Sequence, residues 1–578
     1  MDINPPEEAP KARFNPFTLA SQKVDLDIDF GQRIKGTTHL TLYPDSSDLA
    51  AIWLNARQCA ITSIQVNGVE IPLDQYSDPC DTLSLHLQAN VKHHERLADK
   101  IWEHGYRFNA HPELCILLPE EIKDTITQSE VTQVSSDQVL ATLSDVPSSQ
   151  YTPLEVVIEF WTVHTRDILQ FSQGLPGSGR WPHVYTRGGF TPGRTSCLFP
   201  CLDTVSHRCA WEISITGPRT VGDAVKQMTS ESVDSGANEQ VRASEAREMV
   251  FVRPGEITDE IVSKNDPTRK TVSFIITQNT SAQHLGFAIG PFEKVDLGAL
   301  RDIDQVELLG ENAAPILAYC LPGRKEEVES TCLPLTKALD DFVVNYSPYP
   351  FDVLSFCFVD DQGDEPASFA GLTICSSRML YPDSVIDPAQ EVTRTLVRAV
   401  AVQWLGIFII PQTFKDAWLV VGFAIYIAEL FMRELCGHNE YRFWYKTQAD
   451  KVCALDYQRP AIYDMGELLH VDPAEYEFLS LKAPVVLYIL DRRIAKTLGT
   501  PKLASIISNY TTKARNEDLK DNVLSTDDFQ RVVDKTLHDN INDFMTQWVK
   551  TAGCPRFTVS QRFNKKKLVI EMTIRQVQ

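Results

Sequence analysis

Hydrophobic and polar side chains alternate with a period of two in four segments between residues 24 and 87, LDIDF, THLTLY, SIQVNGVEI and LSLHL, separated by Gly, Asp, Asn and Pro. Period two puts the apolar side chains on one face of an extended chain, so this region predicts short antiparallel strands. Runs at 154–161, 210–215 and 271–276 continue the pattern, and the first half of the chain is expected to be predominantly β. After about residue 320 the period lengthens. VESTCLPLTKALDDFVVNY, QEVTRTLVRAVAVQWLGIFI and FKDAWLVVGFAIYIAELFMREL place apolar residues at i, i+3, i+4 and i+7, which predicts a mainly helical second half. The last residues return to alternation in PRFTVSQRF and KKKLVIEMTIRQ, a hairpin around Asn564. Residues 120–150 and 217–248 break both patterns. They are rich in Ser, Thr, Gln, Glu and Asp and are expected to be solvated, partly disordered insertions.

Length and charge narrow the function classes. A chain of 578 residues has room for roughly three or four domains. Its 55 basic and 77 acidic residues leave a net charge of −22, which excludes binding nucleic acid over the whole surface and leaves only a patch for it. The 13 cysteines are spread thinly with no CxxC pair, the usage of a reduced, intracellular protein. The N-terminal residues carry no apolar segment behind a basic one, so no secretory signal is expected. The most apolar stretches, 399–410 and 417–430, are too short for about 30 Å of hydrocarbon. They are expected to be buried core helices, with no membrane partner.

Four segments carry a family resemblance. They are Phe199-Pro200-Cys201-Leu202-Asp203 with a strand at 211–215 after it, Gly286-Phe287-Ala288-Ile289-Gly290-Pro291-Phe292, Gln403-Trp404-Leu405-Gly406, and Trp418-Leu419-x-x-Gly422-Phe423-Ala424-x-Tyr426. In this order they resemble the zinc aminopeptidases of the leukotriene-A4-hydrolase and aminopeptidase-N family: the signature and closing segment of the β domain, then the flanks of the two zinc-binding helices. The resemblance implies an α+β multidomain fold. Its parts would be an N-terminal β-saddle domain over 14–300 with polar insertions at 120–150 and 217–248, a thermolysin-like α-rich domain over 301–549, and the opening hairpin of a β-sandwich domain, truncated, over 550–578.

The family's chemistry needs groups that are missing. Its zinc is held by two His at i and i+4 with a general-base Glu between them and a second Glu downstream. By resemblance these positions fall on Arg398, Val402, Ala399 and Val421. The carboxylate that holds the substrate amine becomes Ser368, and the Tyr that stabilises the oxyanion falls on Ser480, ahead of Lys482-Ala483-Pro484. No histidine occurs between His284 and His438, so a shifted zinc motif is not hidden there. Replacing most of these groups with Ala and Val suits a core, since uncompensated buried carboxylates cost several kcal/mol each. No metal or other cofactor is expected.

Within the family, residues 54–61, 416–431 and 448–453 resemble the degenerate members that serve the general transcription factor TFIID. That resemblance implies a noncatalytic nuclear scaffold in RNA polymerase II initiation. Its partners would be other TFIID subunits, the eighth and first foremost, and promoter DNA through weak or indirect contact, with no small-molecule substrate. The alternatives are an active zinc aminopeptidase and a peptide-binding module that keeps the exopeptidase cleft. The substrate-side strand of the family maps onto Ser368, Phe369, Ala370, Gly371, Leu372, Thr373 and Ile374, a candidate edge for a partner's strand. Arg562, Lys565, Lys566 and Lys567 form the densest basic cluster, a candidate contact for DNA or an acidic partner.

Other constellations favour structural readings. Cys197, Cys201, His207 and Cys209 lack zinc-site spacing, and His93, His94, Glu95 and His104 fit a solvated polar helix. Residues 360–365 lack the ligand order of a calcium loop, and Arg442-Phe443-Trp444-Tyr445-Lys446 has the composition of a helix docked on a core.

Overall fold

The computed structural model describes residues 16–73, 112–127, 151–162, 168–174, 179–188, 194–229, 243–301, 307, 309–457, 459–465 and 473–577. The chain divides into two compact units, Met1–Phe408 and Ile409–Gln578. The expected change of domain at residue 300 falls inside the first unit.

Eight strands form the large sheet of the first unit: β1 (Phe17–Asp29), β2 (Arg33–Pro44), β3 (Cys59–Val66), β4 (Val69–Glu70), β5 (Leu154–Thr162), β6 (Arg208–Pro218), β7 (Glu256–Val262) and β8 (Arg269–Ser281). Their order is β7-β8-β6-β1-β2-β5-β3-β4, and every pair is antiparallel except β1 with β6. Alternation decides the faces: Val24, Leu26, Ile28, Ile34, Leu40 and Leu42 are buried, while Asp27 and Lys35 on the other face are exposed. Strands β6 and β8 extend beyond their apolar cores at both ends, because backbone pairing continues where the side chains become polar. The segment LSLHL, and His93, His94, Glu95 and His104, lie outside the described residues.

Part of the second expected insertion belongs to the folded body. Residues 217 and 218 end β6, and helix α1 (Val221–Thr229) buries Val221, Ala224 and Val225. This i, i+3, i+4 spacing is diluted by the polar composition around it. Two motifs quoted separately from the sequence also meet here. Asn55 and Cys201 exchange backbone hydrogen bonds of 2.8 and 3.0 Å, and the Asp203 amide donates to the Asn55 side chain at 3.2 Å. Buried Glu113 accepts from Arg57 at 2.6 Å and from Asn55 at 3.1 Å. The Phe-Pro-Cys-Leu-Asp segment is thus an internal brace.

A second, mixed sheet follows in the same unit: β9 (Glu293–Asp296), β10 (Ile316–Cys320), β11 (Leu354–Val359), β12 (Ala367–Phe369) and β13 (Leu372–Ser376), in the order β9-β10-β11-β13-β12. The β10–β11 and β11–β13 pairs are parallel. Periodicity missed these strands in a half expected to be mainly helical. The reason is physical: β11 and β13 are buried at every position, so neither has a solvent face to set an apolar–polar alternation, and β12 and β13 are only three and five residues long. Helices α2 (Lys325–Asn345) and α3 (Ala389–Trp404) belong to the same unit.

The second unit is helical: α4 (Ala417–Cys436), α5 (His438–Leu455), α6 (Pro473–Leu498), α7 (Leu503–Arg515), α8 (Thr526–Leu537) and α9 (Asn542–Trp548), then the hairpin β14 (Arg556–Asn564) and β15 (Val569–Val577). Thr413 and Asp416 form a reciprocal capping box ahead of α4, and the other Asp416 oxygen accepts the Thr526 amide at 2.7 Å at the start of α8. Helix α4 is buried without interruption from Trp418 to Glu429. A Cβ on Gly422 would lie 2.6 Å from Leu487 Cδ1, so glycine lets α4 and α6 approach closely. Among the described residues no helix is long and apolar enough to cross a membrane.

Candidate functional site

Helix α3 follows Pro388, carries Glu391 in its first turn and is capped by Leu405, ahead of Gly406 at φ +141°. Arg398 and Val402, one turn apart, are both half-buried, and Ala399 is buried. This is the spacing a zinc-binding helix uses, but the donors are wrong. A guanidinium stays cationic and carries no acceptor, and an isopropyl group has no lone pair. In the second unit Val421 lies within the continuously buried run of α4 and also offers no ligand. The aminopeptidase zinc therefore does not fit these residues. Ser368 on β12 and Ser480 on α6 are half-buried.

One residue beyond Val402, Gln403 is fully buried and fully used. Its Oε1 accepts the Gly371 amide at 2.9 Å and the Tyr349 hydroxyl at 3.4 Å, while its Nε2 donates to the Phe369 carbonyl at 3.1 Å. Burial pushes the Tyr349 hydroxyl well above its ordinary value, with Asp352 adding to the effect, so it stays protonated and can donate. Gly371 sits at φ +73°, and a Cβ there would lie 2.8 Å from the Val353 carbonyl oxygen. Gln403 thus clamps the tight turn between β12 and β13.

That turn narrows the expected strand edge. Because the chain reverses at Ala370 and Gly371, β13 is folded inside the sheet, pairing with β11 on one side and β12 on the other. Leu372, Thr373 and Ile374 are therefore interior residues, and only Ala367, Ser368 and Phe369 lie on the outer strand. Ala367 packs so closely on Gly188, and Phe369 on Gly286, that a Cβ on either glycine would collide with them.

In the second unit Lys482 donates to Asp456 at 2.7 Å, with side chains 2% and 0% exposed. The same Asp456 oxygen lies 3.3 Å from the Cys554 Sγ. Burial, and then the bond to Asp456, push this thiol up to about 12, so it remains a protonated donor. The group ties α6 to the segments after α5 and before the hairpin.

The hairpin pairs Arg556 through Asn564 with Val569 through Val577, and Arg562, Lys565, Lys566 and Lys567 are exposed at or near its tip. The Asn564 side-chain oxygen accepts the Lys566 and Lys567 amides at 3.1 and 3.2 Å and shapes that turn. Phe557, Val559, Phe563, Ile570, Met572 and Ile574 are exposed, and the register places them on one face.

Among the described residues no group of three or more His, Cys, Asp or Glu side chains is placed to hold a metal. Cys197, Cys201 and Cys209 are buried, and His207 Nδ1 bonds the Thr204 hydroxyl at 2.5 Å. The 360–365 turn is anchored by Ser172 on Asp361 at 3.0 Å and by the Asp360 amide on His183 Nε2 at 3.1 Å. Trp444 and Tyr445 are buried, and Tyr445 stacks on Tyr488 at 4.1 Å. Sequence reasoning used Gln403 as part of the Gln403-Trp404-Leu405-Gly406 motif and assigned it no structural role. A lone amide in the apolar stretch at 399–410 was the available signal for the clamp.

The Peptidase family M1 domain matches residues 334–548. The chain is 33% identical to TFIID subunit 2 of Schizosaccharomyces pombe over 582 residues, covering 96% of this chain and 47% of that protein. It is 24% identical to TFIID subunit 2 of Saccharomyces cerevisiae over 682 residues, covering 98% and 48%. It thus spans about half the length of the curated relatives it matches. Among solved structures, a mutant M1 zinc metallopeptidase from Deinococcus radiodurans aligns with a TM-score of 0.59 at 15% identity, over 94% of this chain and 96% of that one. The chain is a relative of TFIID subunit 2, built on the aminopeptidase fold of the M1 peptidases.

Proposed function

We propose that the chain is a noncatalytic scaffold of a TFIID-type general transcription factor in RNA polymerase II initiation, acting in the nucleus. The observation that carries this reading is the similarity to TFIID subunit 2 along 96% of the chain. Arg398, Ala399, Val402 and Val421 support it, because none of them can bind zinc or act as general base toward a metal-bound water. The parts of the scaffold are a β-saddle domain over 14–300, a thermolysin-like domain over 301–549 and a hairpin over 550–578. The eighth and first TFIID subunits are the proposed partners. The outer strand at Ala367, Ser368 and Phe369 is offered to an extended segment of one of them. The tip at Arg562, Lys565, Lys566 and Lys567 is offered to promoter DNA or an acidic partner. Crosslinking mass spectrometry of the factor purified through a tag on this chain tests the proposal. Crosslinks from its lysines to other TFIID subunits are expected; purification of the chain without any TFIID subunit would overturn it.

A further inference from the structure

The solvent face of the eight-stranded sheet carries a groove of about 840 Å³ whose lining includes Asp25, Asp27, Lys35, Thr37, Glu159 and Trp161. Strand register explains how these side chains come together. Ser214, Asp25, Thr37 and Glu159 stand side by side on β6, β1, β2 and β5, and Thr216, Asp27, Lys35 and Trp161 form the next row. Trp161 is 46% exposed although β5 is an interior strand, flanked by β2 and β3. Its indole therefore presents a large apolar surface in the middle of a polar sheet face.

The charges are not all satisfied within the sheet. Arg269 pairs with Asp27, and Lys23 pairs with Glu212 at 2.7 Å. Asp25 and Glu159 form no ion pair among the described residues. They stand two strands apart, roughly 10 Å at about 4.8 Å per strand. Cations three residues apart on a polyproline II segment recur on one side every 9 Å or so, about 3.1 Å per residue. An aromatic ring beside such a row suits both a proline face and a cation.

We propose that this groove docks a proline-containing, lysine- or arginine-rich segment of a partner protein, with cations of successive turns on Asp25 and Glu159 and its body on Trp161. The proposal concerns a different surface from the strand edge and the basic hairpin, and stands whether or not the TFIID reading does. Nucleic acid is disfavoured by the sign of the free charges.

Fluorescence anisotropy tests it with the 578-residue chain and labelled peptides of four Lys-Pro-Pro repeats or four Glu-Pro-Pro repeats. The lysine peptide is expected to bind and the glutamate peptide not. Trp161→Ala should weaken binding about fivefold, and Asp25→Asn with Glu159→Gln about tenfold. Glu434→Gln with Glu517→Gln, which removes the same charge elsewhere, should leave it unchanged. Lys35→Glu, a surface change that does not depend on tolerance of Trp161 loss, should tighten binding about threefold. Equal binding of both peptides, parental affinity in the Asp25/Glu159 variant, or no gain from Lys35→Glu would overturn the proposal. So would a concentration-dependent dimer that Trp161→Ala dissolves, since the occupant would then be a second copy.

Discussion

Two parts of helix α3, one residue apart, have opposite character. Arg398 and Val402, the positions onto which the resemblance maps two zinc-ligating histidines, offer no ligand. Gln403 is buried completely, and both ends of its amide hold the Phe369–Gly371 turn. The same contrast exists in the second unit, where buried Val421, the position the resemblance gives to the third ligand, is apolar, while Lys482 and Asp456 form a buried ion pair. The difference separates two reasons for a polar core. Groups needed only by the metal are dispensable once it is gone. Groups that satisfy backbone or each other are not, because losing one partner leaves the other desolvated and unpaired.

Removing one member of the buried ion pair should show the largest effect. Lys482→Ala is expected to cost about 3–5 kcal/mol in urea unfolding, because Asp456 is left buried, while Lys482→Met with Asp456→Leu should recover most of it. A loss under about 1 kcal/mol would erase the distinction between the two kinds of position. Gln403→Leu comes next. It strands the Gly371 amide and the Phe369 carbonyl at about 1–3 kcal/mol each, whereas Val402→Ala, a half-buried apolar change on the same helix, should cost about 1 kcal/mol. Equal losses would break the comparison.

Buried histidines sharpen it through pH. Burial, with a smaller contribution from Arg208, lowers His284 from 6.5 to about 3. His183 is lowered by burial, and its ring accepts the Asp360 amide. A folded value below the unfolded one means the unfolded chain binds the extra proton. The stabilisation is therefore complete above pH 6.5 and is lost as pH falls toward 3, amounting to about 2 kcal/mol at pH 5 from His284 alone. Unfolding titrations at pH 7 and pH 5 should show a loss of stability toward pH 5, and His284→Gln should shrink that loss by about 2 kcal/mol. A pH-independent midpoint would refute the burial of these rings as neutral groups.

The smallest effect belongs to the exposed tip. Four phosphate contacts by Arg562, Lys565, Lys566 and Lys567 would give a slope of log affinity for DNA against log salt of about −3.6, and removing the three lysines should flatten it by nearly three units. Fold stability should not change. DNA affinity retained by the triple variant would place the contact elsewhere.

Much of this architecture was legible because period two and period 3.6 mark half-buried elements. Strands β1, β2, β6 and β8 and helices α2 and α3 were visible in that way, while β11, buried at every position, was not. The ligand positions are assigned from the flanking motifs alone, and the zinc measurement below tests them. The clamp of Gln403 and the pairing of Lys482 with Asp456 were not legible, because each joins residues 26 or more positions apart. The strand edge was overextended for a related reason. A seven-residue segment looks continuous in sequence, but the turn at Gly371 folds half of it inside the sheet.

The most direct test of the central claim, that the peptidase fold persists without its metal chemistry, is the zinc content of the purified chain after exposure to excess zinc and removal of unbound metal. The account predicts substoichiometric zinc and an unfolding midpoint unaffected by chelator. One zinc per chain, lost together with stability on chelation, would contradict it.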